Sequence, residues 1–410
     1  MEVMIVGGGI GGLTLALSLH KMGIAARVFE AAPEIQALGV GVSLLPHSTR
    51  VLGELGLNEA LAKVAVTTTT TTFFNRFGQH VYSESTGRQA GYEWPQFQAH
   101  RGDLQMILLE ACRERLGADR IVAGHRCTGF TQTPGGVTAS FVDPAGNSLG
   151  PRAADALIAC DGLHSVIRKQ LHPAEGEPVY SGVNMWRGVT RWKPYFDGAT
   201  YVRGGWLTPG KMVIYPIRNA LDADGCQLIN WVAEVTTPRY ERRDWNRRGR
   251  LEDFIGVFED WRFDWLDVPA MIRAADVLLE FPMVDQDPLP WWTQGRVTLL
   301  GDAAHPMVPR GSNGAGQAIL DARALAAALA AEPDVPAALA RYESQRRPAT
   351  TDIVLANRKT PPDAILKEVY ERTGDRPFRH IDDVISQEEL AAISNGYKRV
   401  AGYDLASLSR

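Results

Sequence analysis

The chain has 410 residues, 45% hydrophobic and 22% charged, with a net charge of −4. That is the balance of an ordinary globular protein long enough for two domains, and it lacks the basic footprint of a nucleic-acid binder. No apolar run approaches the roughly 20 residues that span a bilayer, so no membrane partner is expected.

The first segment, EVMIVGGGIGGLTLALSLHKMGIAARVFE, reads as strand, tight glycine turn, helix and second strand, a βαβ unit of about 30 residues. No signal peptide is expected before it. The run Thr67 to Thr72 is β-branched and predicts a half-solvated sheet edge. HRGDLQMILLEACRERLG predicts an amphipathic helix with Leu104, Ile107, Leu108 and Cys112 at helical spacing. A hairpin turn is expected at Asp143-Pro144-Ala145-Gly146, followed by the buried strand ADALIACDG. From Val179 to Val235 apolar and polar residues alternate, which predicts a mostly antiparallel sheet. RRDWNRRGR reads as a solvated, charged connector. RVTLLGD returns to the first domain, and a helix from Gly314 to about Ala331 closes it. From Arg358 onward the pattern predicts peripheral helices. Four scattered cysteines (Cys112, Cys127, Cys160 and Cys226) form no C-x-x-C pair. That argues against a zinc site and a disulfide framework, and for a reducing, cytoplasmic compartment.

Gly7, Gly9 and Gly12 form G-x-G-x-x-G between a strand and a helix. The first glycine permits the turn, the second lets a pyrophosphate approach, and the third allows close helix–strand packing. The helix N-terminus then faces phosphate charge. Glu30 ends the second strand, where a carboxylate accepts both hydrogen bonds of an adenosine ribose. The pattern therefore predicts FAD or NAD. Two further turns, Asp161-Gly162 and Gly301-Asp302, stand at the ends of later core strands. Asp302 is placed to bind a polyhydroxyl chain such as the ribityl group of FAD. The loop PRGSNGAGQA then brings Gly311, Asn313, Gly314 and Ala315 to the N-terminus of a helix, where amides stabilise charge on a reduced flavin.

These three motifs, in this order, resemble the group A flavoprotein monooxygenases of the para-hydroxybenzoate and salicylate hydroxylase type. HRGDLQMILL, MWRGVT, YPI, NWV and MVDQDPLPWW are similar to phenazine-modifying members. The resemblance implies an α/β fold in which a Rossmann-like FAD-binding domain (residues 1–72, 98–178 and 276–350) is interleaved with a mostly antiparallel substrate domain. The latter takes residues 73–97 and 179–275, with a C-terminal helical segment over 351–410. It implies FAD as cofactor, NADH or NADPH as co-substrate, and hydroxylation of an aromatic or heteroaromatic ring by a flavin C4a-hydroperoxide, with or without loss of a carboxyl group. Asp161 and Arg168 match positions that serve FAD and NAD(P)H in this family, and Arg101 matches an arginine that contacts FAD. Pro306 and Pro309, with Gly314, would wall the flavin. The chain is expected to act as a monomer or homodimer.

Trp186, Arg187, Met212, Tyr215, Asn230 and Trp231 fall on the strands expected to roof the flavin, and alternation turns about half of such a set away from it. Arg187 suits either a substrate carboxylate or a structural salt bridge, and Tyr215 a polar pocket contact. His305 reads as structural near the flavin and His47 as solvent-facing. No general base is evident. Rival readings on the same fold are an epoxidase, a Baeyer–Villiger-type oxygenase, a reductase or a flavin-binding protein without turnover.

Overall fold

The structure, a computed structural model, describes residues 1–238 and 248–408. Five short parallel strands form the first sheet, in the order Val297–Leu299, Ala156–Ala159, Glu2–Val6, Ala25–Phe29, Ile121–Val122. The central strands are buried and apolar because both faces are covered. Helices Ile10–Lys21, Arg101–Leu116 and the alanine-rich Gly314–Ala331 pack into one core with them. The three-stranded antiparallel sheet of Arg126–Thr133, Gly136–Val142 and Ser148–Ala154 joins the same core, where Phe141 stacks on Phe29 at 4.5 Å. Its hairpin turns at Asp143, as the sequence predicts.

The second sheet has seven strands in the order Leu278–Asp285, Val179–Trp192, Gln227–Thr236, Gly210–Arg218, Thr200–Trp206, Thr70–Phe74, His80–Ser85. All neighbours are antiparallel except Thr200–Trp206 with Thr70–Phe74. Three expectations change here. The threonine run is no edge: Thr70–Phe74 lies between two strands, and His80–Ser85 is the edge. Thr70 to Thr72 and Leu278–Asp285 hydrogen-bond into this sheet, so the expected boundaries at 72 and 276 each misassign a strand to the FAD domain. The C-terminal helices are not peripheral. Helix Val335–Lys359 crosses the expected boundary at 350, and the segment beyond it buries Asp363, Leu366, Leu390 and Tyr397 against the rest of the chain. Residues 242–247 of the charged connector lie outside the described residues.

Alternation gives the seven-stranded sheet two unlike faces. One packs Trp186, Met212, Ile214, Trp231 and Ala233 against Phe254, Phe258 and Trp261 in a closed apolar core. The other carries Met185, Arg187, Arg203, Lys211, Tyr215 and Glu234, and roofs a cleft whose floor is the glycine turn and the Gly301–Asp302 loop.

Candidate functional site

At the glycine turn each glycine has a different steric reason. Gly7 adopts φ +110°, and a Cβ there would stand 2.2 Å from the Cys160 carbonyl oxygen. A Cβ on Gly12 would meet the Gly7 carbonyl at 2.0 Å, which is the close helix–strand contact. Gly9 has nothing within 4 Å of an added Cβ and lines the open cleft, so a phosphate can approach its backbone. Glu30 is held at the end of its strand, accepting from Gly8 N at 2.7 Å and Ala32 N at 2.8 Å.

The cleft encloses about 1500 Å³, its open mouth included. Arg101, Gly162, Gly301, Asp302, Pro309, Asn313, Gly314 and Ala315 line it. Other expected residues stand behind this surface. Asp161 accepts from Val166 N at 2.9 Å, burial raises its carboxyl above the usual range, and its Oδ1 has no hydrogen-bond partner. Pro306 is buried away from the lining. Gly311 faces Tyr397: a Cβ there would stand 1.6 Å from the tyrosine oxygen.

Arg168 calls for a correction. It is only 2% exposed, pairs with Glu175, and donates from Nη1 to the carbonyls of Ala303 and Ala304 at 2.9 Å each. Its guanidinium is used up inside the protein, so it shapes the Gly301–Asp302 loop and does not reach a ligand. Asp321, unremarked in the sequence, supports the same loop. It accepts from Gly301 N (3.1 Å), His305 Nε2 (2.6 Å) and Arg346 Nε (2.7 Å). Burial opposes its charge, but His305 and Arg346 outweigh burial and lower its pKa to about 2. His305 is thus buried and structural. His47 is not solvent-facing: it is 1% exposed, with Nε2 2.9 Å from Asn313 Oδ1, because its helix Pro46–Glu54 packs on Gly314–Ala331. Burial lowers its pKa to about 4, against the opposing bond to Asn313.

On the roof, Arg187 and Tyr215 face the cleft, whereas Trp186, Met212 and Trp231 point into the opposite core and leave the candidate substrate set. Trp231 spends its indole N–H on Thr190 Oγ1 at 3.0 Å, and Trp186 stacks on Phe254 at 4.9 Å. Asn230, on the cleft-facing alternation, accepts from Gly41 N at 2.7 Å. The correct alternates were one residue away. Met185, Val213 and Val232 give an apolar patch, and Tyr201, Arg203, Lys211 and Glu234 a polar one. Fixing Arg187 and Tyr215 as inward implies most of these by period two, but nothing in the sequence says which face is inward.

Lys211 is 1% exposed, with Nζ 2.5 Å from Glu234 Oε1 and 2.7 Å from Asp363 Oδ2. Asp363 also takes Arg203 Nη1 at 2.6 Å. Burial opposes ionisation of Asp363, yet Arg203 and Lys211 hold its carboxyl below the usual range. Arg187 differs from these. It donates from Nη2 to the Gly41 carbonyl at 2.9 Å, its Nε has no partner, and no carboxylate pairs with it among the described residues. Burial lowers its pKa, with the neighbouring Tyr215 opposing.

An open glycine backbone, a carboxylate at Asp302 and a helix N-terminus at Gly314 converge on one cleft, with the Glu30 carboxylate held beside the glycine turn, which fits FAD. The chain matches the FAD binding domain family over residues 1–244 and 284–357. It is 41% identical over 404 residues to the phenazine 1,6-dicarboxylic acid hydroxylase PhzS of Lysobacter antibioticus, covering 97% of each chain. It is 34% identical over 360 residues to the 3-amino-4-hydroxybenzoate 2-monooxygenase PtnB3 of Streptomyces platensis, covering 86% of this chain and 85% of the other. A salicylate hydroxylase solved with its substrate has the same fold, with a TM-score of 0.75, 24% identity, and coverage of 100% of this chain and 97% of the other. By family, fold and end-to-end relatives, the chain belongs to the FAD-binding group A monooxygenases, the single-component flavoproteins that hydroxylate aromatic rings.

Proposed function

We propose that the protein hydroxylates an electron-rich, anionic aromatic or heteroaromatic ring in the cytoplasm, with molecular oxygen and NADH or NADPH as co-substrates. Arg187 carries this reading. A half-buried guanidinium that faces the cleft without a carboxylate is a charge that a substrate anion placed beside it neutralises. Arg101, Arg187, Arg203, Lys211 and Arg310 line the cleft, against Asp302 and Glu234 on the lining and Asp363 behind it. The excess favours a carboxylate-bearing substrate. The relative's name adds a ring system to test first, a phenazine acid. Four free cysteines suit a reducing compartment.

Bound FAD supplies electron transfer and oxygen activation. The residues of the chain do the rest. Arg187 and Tyr215 orient the anion, and Met185, Val213 and Val232 lay an apolar face on the ring. The seven-stranded sheet keeps water from the reacting edge, and the fixed ring position makes attack effectively intramolecular. Asp302 and Glu30 are the acceptors for the cofactor's hydroxyls, and Gly314 and Ala315 offer helix-start amides to its reactive end.

The test is NADH and NADPH oxidation by the yellow holoprotein with phenazine-1-carboxylic acid, phenazine-1,6-dicarboxylic acid and 3-hydroxybenzoate, under labelled dioxygen and with peroxide measured. One acid should accelerate oxidation, give little peroxide and acquire one labelled oxygen on its ring. Carbon dioxide released with that product marks decarboxylative hydroxylation. Acceleration without a labelled product moves the chain to the reductases, and label inserted beside a carbonyl or across a double bond moves it to the other oxygenases. No response to any aromatic acid overturns the reading.

A further inference from the structure

The segment after residue 359 carries no motif, yet it reaches the cofactor side of the cleft. Tyr397, on helix Gln387–Val400, is 4% exposed and lies directly over Gly311. Its hydroxyl is 2.7 Å from Asn357 Oδ1, and Asn357 Nδ2 is 3.2 Å from the Val308 carbonyl oxygen. The direction of this chain is fixed. A carbonyl only accepts, so Asn357 must present Nδ2 to Val308 and Oδ1 to Tyr397, and Tyr397 must donate. Burial raises the Tyr397 pKa, which keeps that proton in place. Asn357 is wholly buried, so losing either bond strands a polar group.

The loop that this chain grips is strained. Ser312 holds φ +53°, a left-handed conformation uncommon for a residue with a Cβ. It persists because the surroundings over-determine it. Arg203 donates to the Arg310 carbonyl, Tyr201 and Ser312 share a hydroxyl bond at 3.0 Å, and the Asn313 amide faces the Tyr397 hydroxyl although its Nδ2 makes no hydrogen bond. Pro309, Ser312, Asn313 and Gly314 are cleft wall.

We infer that Tyr397 is a positioning residue for the cofactor loop, clamping Val308 to Asn313 from the C-terminal helix through Asn357. The inference rests on the loop being the wall of the FAD site. A loop set before the cofactor arrives spares FAD the cost of ordering it. A loosened loop holds FAD less tightly and places its reactive end less well.

Tyr397→Phe tests this, since it keeps the ring over Gly311 and removes only the donor. Flavin release from the holoenzyme on dilution, read by fluorescence, should reveal about tenfold weaker retention, the size of one lost buried hydrogen bond. Amide exchange over residues 309–316 should quicken, and KM for the aromatic substrate should stay within about twofold. Asn357→Ala should weaken retention similarly, and the double variant no more than Asn357→Ala alone, because both act through one chain. Tyr397→Phe holoenzyme that retains flavin like wild type, or single effects that multiply in the double variant, overturns the clamp. Wild-type protein purified without flavin would instead remove the cofactor reading beneath it.

Discussion

Replacing Asp363 by asparagine takes one charge out of an enclosed cluster while keeping the side-chain volume. Asp363 and Lys211 are at most 1% exposed, Glu234 4% and Arg203 7%. In wild type two cations face two carboxylates at 2.5–2.7 Å. The variant leaves Lys211 with Glu234 and Arg203 with no carboxylate partner among the described residues. Removing one partner from a buried ion pair costs about 3–5 kcal/mol, because the stranded charge is away from water. Unfolding entropy of about 2.1 cal/mol/K per residue over 410 residues converts this to a Tm fall of about 4–6 °C. Thermal and urea denaturation of the holoprotein measure it. Adding Arg203→Met to the variant should restore much of the loss, because it removes the stranded cation and leaves Lys211 with Glu234. The pH dependence has a definite sign. Asp363 ionises below its unfolded value, so its stabilisation is present above roughly pH 4 and is lost as pH falls through the folded value. Asp363→Asn should therefore flatten the acid limb of the stability curve. A variant within about 0.5 kcal/mol of wild type, the usual range for surface changes, would show that the cleft solvates these cations and would refute the reasoning.

Asp302→Ala should weaken FAD retention about ten- to a hundredfold, the size of lost hydrogen bonds to a charged acceptor, and full flavin content after dialysis would contradict its placement. Trp231→Ala should cost about 3–5 kcal/mol of stability in denaturant while leaving substrate KM near wild type, since the ring packs on the far side of the roof. Tyr215→Phe should do the reverse, raising KM several-fold with a small stability change, and equal KM effects in both variants would undo the assignment of the two faces. His47 has a folded pKa of about 4 against an unfolded value near 6.5, so the unfolded state takes the proton first. Wild type should lose about 3 kcal/mol as pH falls from roughly 6.5 to 4, and equilibrium denaturation of His47→Gln should lack that slope.

The sequence was most legible where chemistry is local. Gly7, Gly9 and Gly12 announce themselves because a turn, an open approach and a close contact all occur within six residues, and each requirement leaves a glycine. Asp302 and Gly314 are likewise fixed by the end of one strand and the start of one helix. The roof was half legible. Period two sorts Met185 and Arg187 from Trp186, and Lys211 and Tyr215 from Met212, but the pattern is symmetric in the two faces. Tryptophans drew attention as stacking platforms, while the structure uses them to close the back of the sheet against Phe254 and Phe258.

Least legible were the residues whose roles depend on distant partners. His47 in isolation reads as a loop histidine; only the packing of its helix on Gly314–Ala331 puts it against Asn313. Asp363 follows two prolines and looks like a turn residue, yet the fold carries it 160 positions back in sequence to Arg203. Such a carboxylate has no spacing rule, because a buried charge needs its partner in space and not in sequence. The physical order runs the other way. The roof gathers Arg203 and Lys211 over a cleft, an enclosed pair of cations demands anions, and the C-terminal segment is where the chain finds the second one. Asp363 on the roof and Tyr397 on the cofactor loop make the last fifty residues a brace across both walls of the site, which explains how a segment without a motif is built so deeply into the fold.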